Sequence, residues 1–161
     1  MQTKLIVSAM MLMGLCAGVH AAGSTPTQSA IELSAEGVQI YTCKSADTGA
    51  SWVLKAPDAT LRDAQRQAVV HHFAGPTWQW TDGSSVVGEP VSVSPAPQAG
   101  AVAWLVLHAK SHAGSGMLAN VDYVARVHTE GGVAPATGCD ASHVGAEVRV
   151  PYKATYLFFR H

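Results

Sequence analysis

Charged residues are scarce in this sequence: Asp, Glu, Lys and Arg make up 13% of its 161 residues, and the formal net charge is −1. No basic stripe occurs along the chain, although a protein that binds a phosphate backbone needs one. The sequence therefore excludes nucleic acid as an expected partner. Glycine and proline, with 15 and 8 residues, are spread along the chain instead. This is typical of an exported β-rich domain with many turns, and of neither a helical bundle nor a disordered segment.

Sustained helical periodicity is also missing, because no long segment repeats its apolar residues at intervals of 3.6. The best helix candidate, residues 59–67, is short. Short β-branched and aromatic segments recur instead between turn signals, and residues 101–109 are apolar enough to predict a central strand covered on both faces. About eight such segments predict one all-β domain over residues 34–161, a β-sandwich or barrel with little helix.

Residues 121–128 show the alternation of a half-buried strand. The positions expected to face the core are Val121, Tyr123, Ala125 and Val127. Asp122 and Arg126 lie together on the opposite face, four residues apart, where a solvated or ion-paired strand edge is expected.

Long apolar runs are absent except at the start of the chain. Lys4 precedes an apolar run over residues 5–19, and small or permissive residues follow it. This pattern predicts a signal peptide over residues 1–21, and the run is too short for a stable membrane span. We therefore expect no transmembrane anchor, a flexible polar lead over residues 22–33, and a periplasmic or secreted protein.

Cysteine is rare as well, with three residues. Cys16 lies in the predicted signal peptide, and Leu15 before it does not fit a lipoprotein signal. Cys43 and Cys139 remain, and a single pair in an oxidising compartment predicts a disulfide. Two buried free thiols are the alternative. A metal site that uses both sulfur atoms is less favoured, because neither cysteine has a CxxC or CxxH neighbour.

A convincingly presented nucleophile is missing too, since no serine has the strand-to-helix context of a nucleophile elbow. His72 is the histidine of greatest interest, because it ends a predicted strand near Trp78 and Asp82. An imidazole beside a carboxylate across a hairpin could act as a general base or as a metal ligand, so His72 and Asp82 are the candidate catalytic residues. The alternative, which we favour, is a structural histidine bonded to the backbone at a sheet edge.

Two further histidines, His108 and His112, are four residues apart. That spacing joins two metal ligands on a helix, but here it spans a strand end and a turn, where it loses this meaning. No cofactor is predicted. His72, His108 and His112 are the candidate ligands if a divalent metal binds.

The tryptophans allow two interpretations. Trp78 and Trp80 are two residues apart and therefore share one strand face. They either fill the core, which we favour, or form a platform that stacks on a sugar or another flat ligand. Trp104, in the predicted central strand, is expected in the core.

Several segments together resemble a known family. They are residues 37–43, 72–78 and 82–84, and the block 123–152 with its Gly138-Cys139-Asp140 and Arg149-Val150-Pro151-Tyr152. The chain is similar along nearly its whole length to an exported bacterial and fungal family catalogued as a domain of unknown function, numbered in the mid three-thousands. The resemblance implies no established activity, substrate or cofactor.

The sequence as a whole favours an exported, non-catalytic binding or stress-associated module of the envelope or the extracellular space. A small molecule or a carbohydrate is the expected ligand. The alternative is a small secreted metal-binding protein or enzyme that uses His72 and Asp82.

Overall fold

The computed structural model describes residues 30–160, in which β-strands are joined by turns and loops. The strands are β1 (Ala30–Ala46), β2 (Gly49–Arg62), β3 (Ala68–Phe73), β4 (Thr77–Trp80), β5 (Ser85–Ser94), β6 (Trp104–Ala113), β7 (Val121–Gly131) and β8 (Glu147–Arg160). Residues 30–160 contain no helix, and so none that could span a membrane.

The helix predicted over residues 59–67 is wrong. Its first four residues belong to β2. Asp63 follows the strand, and its Oδ1 accepts hydrogen bonds from the backbone amides of Gln65 and Gln67 at 3.0 and 2.8 Å. An aspartate that bonds nearby amides in this way favours a turn over a helix, and the chain reverses here into β3.

Each strand pairs antiparallel with the next strand along the chain, and β8 pairs with β1. The sheet therefore closes into an eight-stranded barrel. Closure removes the exposed edges that an open sheet would present. This confirms the predicted all-β class with about eight strands, and it selects the barrel from the two predicted architectures.

The first strand begins earlier than the sequence predicts. β1 starts at Ala30, so the last four residues of the lead predicted over residues 22–33 are strand. The register explains the early start, because Leu33 pairs with Tyr156 of β8 and both side chains are buried. The predicted signal peptide, residues 1–21, lies outside the described residues, as does the rest of the predicted lead.

One end of the barrel interior is filled with apolar side chains, and we call it the packed end. It carries the β4–β5 turn and the β6–β7 loop. Its buried side chains are Leu33, Leu61, Val70, Val86, Leu118, Val121, Val124 and Phe158. The opposite end carries the β3–β4 turn and the β5–β6 and β7–β8 loops, and we call it the open end.

β6 is covered on one face only, in contrast to the prediction for residues 101–109. Leu107 points into the barrel and is buried, whereas Val106 points outward and is 37% exposed. Trp104, expected in the core, is half-buried, and its ring meets the His128 ring edge-on at 5.4 Å. A run of apolar residues is typical of a strand buried on both faces, but a strand of a barrel has only one face toward the interior.

The predicted inward face of β7 is partly right, because Val121 and Ala125 are buried, but Tyr123 is not. The pairing of β7 with β8 shifts between Val121 and Tyr123, and a bulge of one residue exchanges the two faces of a strand beyond it. Val124 is consequently buried, whereas Tyr123 is 41% exposed. Arg126, expected on a solvated edge, pairs with Tyr156 and faces the barrel interior.

The predicted disulfide is confirmed. Cys43, near the end of β1, is bonded to Cys139 in the β7–β8 loop, with 5.4 Å between the two Cα atoms. The backbone fastens the same loop to β1, because the Cys43 amide donates to the Ala146 carbonyl and the Gly145 amide donates to the Cys43 carbonyl. The Trp52 indole adds a hydrogen bond to the Thr137 carbonyl. The loop is thus fixed over the rim of the open end.

Candidate functional site

The interior of the open end contains a cavity of about 210 Å³. All eight strands contribute to its wall, together with the β3–β4 turn. The lining residues are Gln39, Leu54, Lys55, Ala56, Pro57, His72, Gly75, Pro76, Trp78, Pro90, Leu105, Leu107, Arg126 and Tyr156. A dry cavity of about 150 Å³ holds a benzene molecule, so this cavity has room for a ring that carries a small substituent.

His72 and Trp78 form one wall of the cavity. They are direct cross-strand partners in the β3–β4 hairpin, and their rings stack with 4.4 Å between centroids and 1° between planes. Tyr156 of β8 meets both rings edge-on, at 5.3 and 5.7 Å. The hairpin register therefore places an aromatic surface inside the barrel.

His72 is a buried, neutral histidine. Its side chain is 3% exposed, and Nδ1 is 2.9 Å from the Thr77 carbonyl oxygen, so Nδ1 carries the proton and donates it. Burial lowers the pKa of His72 to about 3, although the hydrogen bond to Thr77 opposes the shift. A general base works best with a pKa near the operating pH. His72 is consequently a weak proton acceptor at neutral pH.

The lowered pKa of His72 predicts acid sensitivity. Between the unfolded value of 6.5 and the folded value of about 3, the unfolded chain binds a proton that the folded barrel does not. The free energy of unfolding should therefore fall as the pH falls below 6.5, by about 2 kcal/mol between about pH 7 and pH 5. Urea unfolding at the two pH values measures this loss, which His72→Gln should largely abolish.

The control is His108→Gln, which removes an exposed histidine of β6 and should leave the pH dependence as it is in the wild type. The carboxyl groups with lowered pKa values, among them Asp58 and Asp82, titrate at lower pH and do not interfere. Equal losses of stability in the wild type and in His72→Gln would show that His72 does not titrate as described.

Two buried hydrogen-bond donors at the cavity have no partner within residues 30–160. They are Nε2 of Gln39 and Nε1 of Trp78. The two side chains are 2% and 1% exposed, and a buried donor without a partner costs about 1 to 3 kcal/mol. Trp104 and Arg160 also carry unpartnered nitrogen atoms, but neither residue lines the cavity. Two of these four nitrogen atoms thus belong to residues of the cavity wall.

Arg126 supplies a positive charge to the same cavity. Its Nε and Nη2 atoms donate to the Ala103 carbonyl at 3.1 and 2.8 Å, which fixes the guanidinium at the wall. None of the ion pairs found between described residues includes Arg126. Burial raises the pKa values of Tyr41 and Tyr156, and the charge of Arg126 opposes both shifts. The charge of Arg126 thus reaches tyrosines of both β1 and β8.

Asp82 lies at the other end of β4 from His72. Its Oδ1 accepts hydrogen bonds from the amide and hydroxyl of Ser84 at 2.8 and 2.6 Å, and its Oδ2 accepts one from the Met117 amide at 2.8 Å. These bonds, that from the Ser84 hydroxyl first, lower the pKa of Asp82. The carboxylate fastens the β4–β5 turn to the β6–β7 loop. The structure therefore does not bring the two candidate catalytic residues together.

The two tryptophans considered as a platform have different surroundings. Trp78 lines the cavity and is buried. Trp80 faces the same side of β4, but it packs half-buried against the apolar core and is not part of the cavity wall. Of the pair, Trp78 alone is placed to contact a molecule in the cavity.

The three candidate metal ligands do not converge. His72 is inside the barrel, whereas His108 and His112 are exposed on β6. His108 packs against the Tyr123 ring, and Nε2 of His112 donates to the Val121 carbonyl at 2.7 Å. Residues 30–160 contain no group of three or more His, Cys, Asp or Glu side chains arranged to hold a metal ion.

The β7–β8 loop contains a serine, a histidine and an aspartate in contact. Nδ1 of His143 faces both Oδ1 of Asp140 at 2.8 Å and Oγ of Ser142 at 3.2 Å, and Ser142 itself donates to Asp140 at 2.6 Å. In a catalytic triad the two imidazole nitrogens face different partners. Here one nitrogen faces both, so the cluster stabilises a turn.

The sequence interpretation missed Gln39 and Arg126 as parts of a site. Gln39 belongs to residues 37–43, which we singled out for their family resemblance. The sequence feature that could have identified Gln39 is a polar residue in line with Tyr41 and Cys43, which share its face of β1 and are buried. Arg126 gave no such signal, because the bulge at the start of β7 reverses the apparent face.

The comparisons with known proteins agree with the resemblance seen in the sequence. The family model described as "Protein of unknown function (DUF3455)" matches residues 24–160. No curated protein and no solved structure matches the chain. The family match spans every described strand, and the chain belongs to this family, DUF3455.

Proposed function

We propose that this protein is a non-catalytic binding protein that holds a small molecule inside the open end of its barrel. The observation that carries the proposal is a cavity of about 210 Å³ whose lining residues include Gln39 and Trp78, each with a buried N–H group that has no partner within residues 30–160. Native proteins satisfy nearly all buried donors. A bound molecule with an acceptor atom would satisfy these two.

The wall of the cavity fits this role. Ligand sites are mostly apolar concave surfaces with a few polar groups that fix orientation. Leu105, Leu107 and Pro57 supply apolar surface here, and Gln39 and Arg126 supply the polar groups. The interior of an eight-stranded barrel is wide enough either for its own side chains or for one small ligand. The volume favours a molecule built on a single ring, either aromatic or of sugar size.

The chemistry of the site supports binding over catalysis. His72 is neutral with a pKa of about 3, and Asp82 is engaged at the packed end. The cavity wall contains no activated nucleophile, and its histidine has a pKa far below neutral pH. The proposed setting is the periplasm or the extracellular space, which the Cys43–Cys139 disulfide supports.

Filling the cavity tests the proposal. Leu105 lines the cavity from β6, so Leu105→Trp should occupy the ligand space while the barrel stays folded. Ligand-observed NMR with phenol, indole, benzoate and glucose as probes is expected to detect binding of at least one ring to the wild type. The same ring should show at least tenfold weaker binding to Leu105→Trp.

The matched control is Val106→Trp, one residue further along β6, where the side chain points outward. This variant should bind the probe as the wild type does, because the ring is added outside the barrel. Failure of every probe to bind the wild type, or equal binding by Leu105→Trp, would overturn the proposal.

A further inference from the structure

We propose that the cavity selects a ring-sized organic anion, an aromatic or cyclic monocarboxylate whose carboxylate is held by Arg126. This inference rests on the proposed function, since it names the chemical class of the ligand for the same site. Three features of the cavity carry it: its charge, the direction of its hydrogen bonds and its apolar remainder.

The charge of the cavity wall is of one sign. Lys55 and Arg126 are among the lining residues, and no aspartate or glutamate is. Lys55 is neutralised at the rim by an ion pair with Glu147. Arg126 forms no ion pair with any carboxylate of the described chain. Arg126 is half-buried, and removing a charge from water is costly unless it is paired. We therefore expect a ligand that covers Arg126 to supply a negative charge.

Arg126 is also held in position for an anion. Its Nε and Nη2 atoms both donate to the Ala103 carbonyl, which uses two of the five N–H donors of the side chain. A further hydrogen bond joins the guanidinium to the Tyr156 side chain. The plane of the guanidinium is therefore fixed before a ligand arrives, and some of its donors remain for one. A fixed fork of donors matches the two oxygens of a carboxylate and lowers the entropy lost on binding.

Two further donors belong to residues of the cavity wall. Gln39 Nε2 and Trp78 Nε1 are buried donors without an acceptor within residues 30–160. A carboxylate only accepts hydrogen bonds, and its two oxygens offer about four acceptor positions. A carboxylate at Arg126 thus has acceptor positions left for a neighbouring donor, whereas a single hydroxyl or amide oxygen offers fewer.

The neutral groups of the wall leave this preference intact. Burial keeps His72 uncharged and keeps the Tyr156 hydroxyl protonated, so neither places a negative charge near the ligand. Leu105, Leu107 and Pro57 form the rest of the surface and suit an apolar ring. The ligand is therefore amphipathic, with the carboxylate at Arg126 and the ring against the leucines.

The test compares benzoate with benzyl alcohol, a neutral ring of similar size, by titration calorimetry at neutral pH. The wild type is expected to bind benzoate at least tenfold more tightly than benzyl alcohol. Arg126→Gln should lose at least tenfold in affinity for benzoate and leave that for benzyl alcohol nearly unchanged. Lys110→Gln removes an exposed lysine of β6 that does not line the cavity, so it is the control and should retain the preference for benzoate.

The outcomes separate this inference from the proposed function. If the wild type binds benzyl alcohol as tightly as benzoate, or if Arg126→Gln keeps the preference, the anion inference is overturned and the binding function stands. If no ring probe binds the wild type, the proposed function fails with it. Should Arg126→Gln not fold, the preference of the wild type decides the matter, and Arg126→Lys should retain part of it because the charge is kept.

Discussion

Replacing both Cys43 and Cys139 with alanine is expected to lower the free energy of unfolding by about 4 to 5 kcal/mol. The two cysteines are 96 residues apart, so the bond removes a large part of the conformational freedom of the unfolded chain. The whole stability of a domain of this size is about 5 to 15 kcal/mol. The variant should therefore be close to unfolding, which urea denaturation at neutral pH will measure.

The control for this experiment is the wild type with its thiols counted before and after reduction. Denatured, unreduced protein should contain no titratable thiol, and reduction should expose the pair. The β7–β8 loop keeps its backbone bonds to β1 and the Trp52 bond to Thr137, so the loss should come mainly from the unfolded chain. A decrease below about 1 kcal/mol would contradict the chain-entropy account.

The class of the fold could be predicted from the sequence because turn signals and β-branched segments are local features. The choice between sandwich and barrel could not. It depends on the pairing of β1 with β8, in which Ala30 meets Phe159, and no local pattern encodes a contact between the two ends of the chain. The inward residues of β7 beyond its bulge could not be predicted for a related reason. The bulge depends on the register with β8, which is distant along the chain.

The candidate site could be predicted where its parts are neighbours along the chain. His72 and Trp78 belong to one hairpin, so their contact follows from the short turn between β3 and β4. Gln39 and Arg126 come from β1 and β7 and line the same cavity as these rings because the barrel closes. Proximity in sequence predicts Asp82 beside His72, but β4 separates the turn that holds Asp82 from the cavity that His72 lines.

Gly37 shows how tightly the closed barrel constrains a single position, and Gly37→Ala is expected to cost about 3 kcal/mol or more. A Cβ atom at Gly37 would lie 2.2 Å from the Asp58 carbonyl oxygen and 2.5 Å from the Ala59 Cα. Both are backbone atoms of β2, the hydrogen-bonded neighbour of β1, so they cannot move without breaking the pairing. Thermal and urea unfolding should show a large loss of stability or no folded protein.

The matched control is Gly88→Ala on β5, because neither Gly37 nor Gly88 has a positive φ and both can take a side chain on conformational grounds alone. A Cβ atom at Gly88 would lie 3.0 Å from side-chain atoms of Leu107 and Trp78, which can shift by a few tenths of an ångström. Its cost should be about 1 kcal/mol. Where the folded backbone accepts alanine without strain, replacing glycine by alanine usually stabilises a protein by about 0.4 to 1 kcal/mol, because the unfolded chain loses conformational freedom. A Gly37→Ala barrel as stable as the wild type would therefore show that β1 and β2 are further apart than described, and the close approach that shapes this side of the barrel would be wrong.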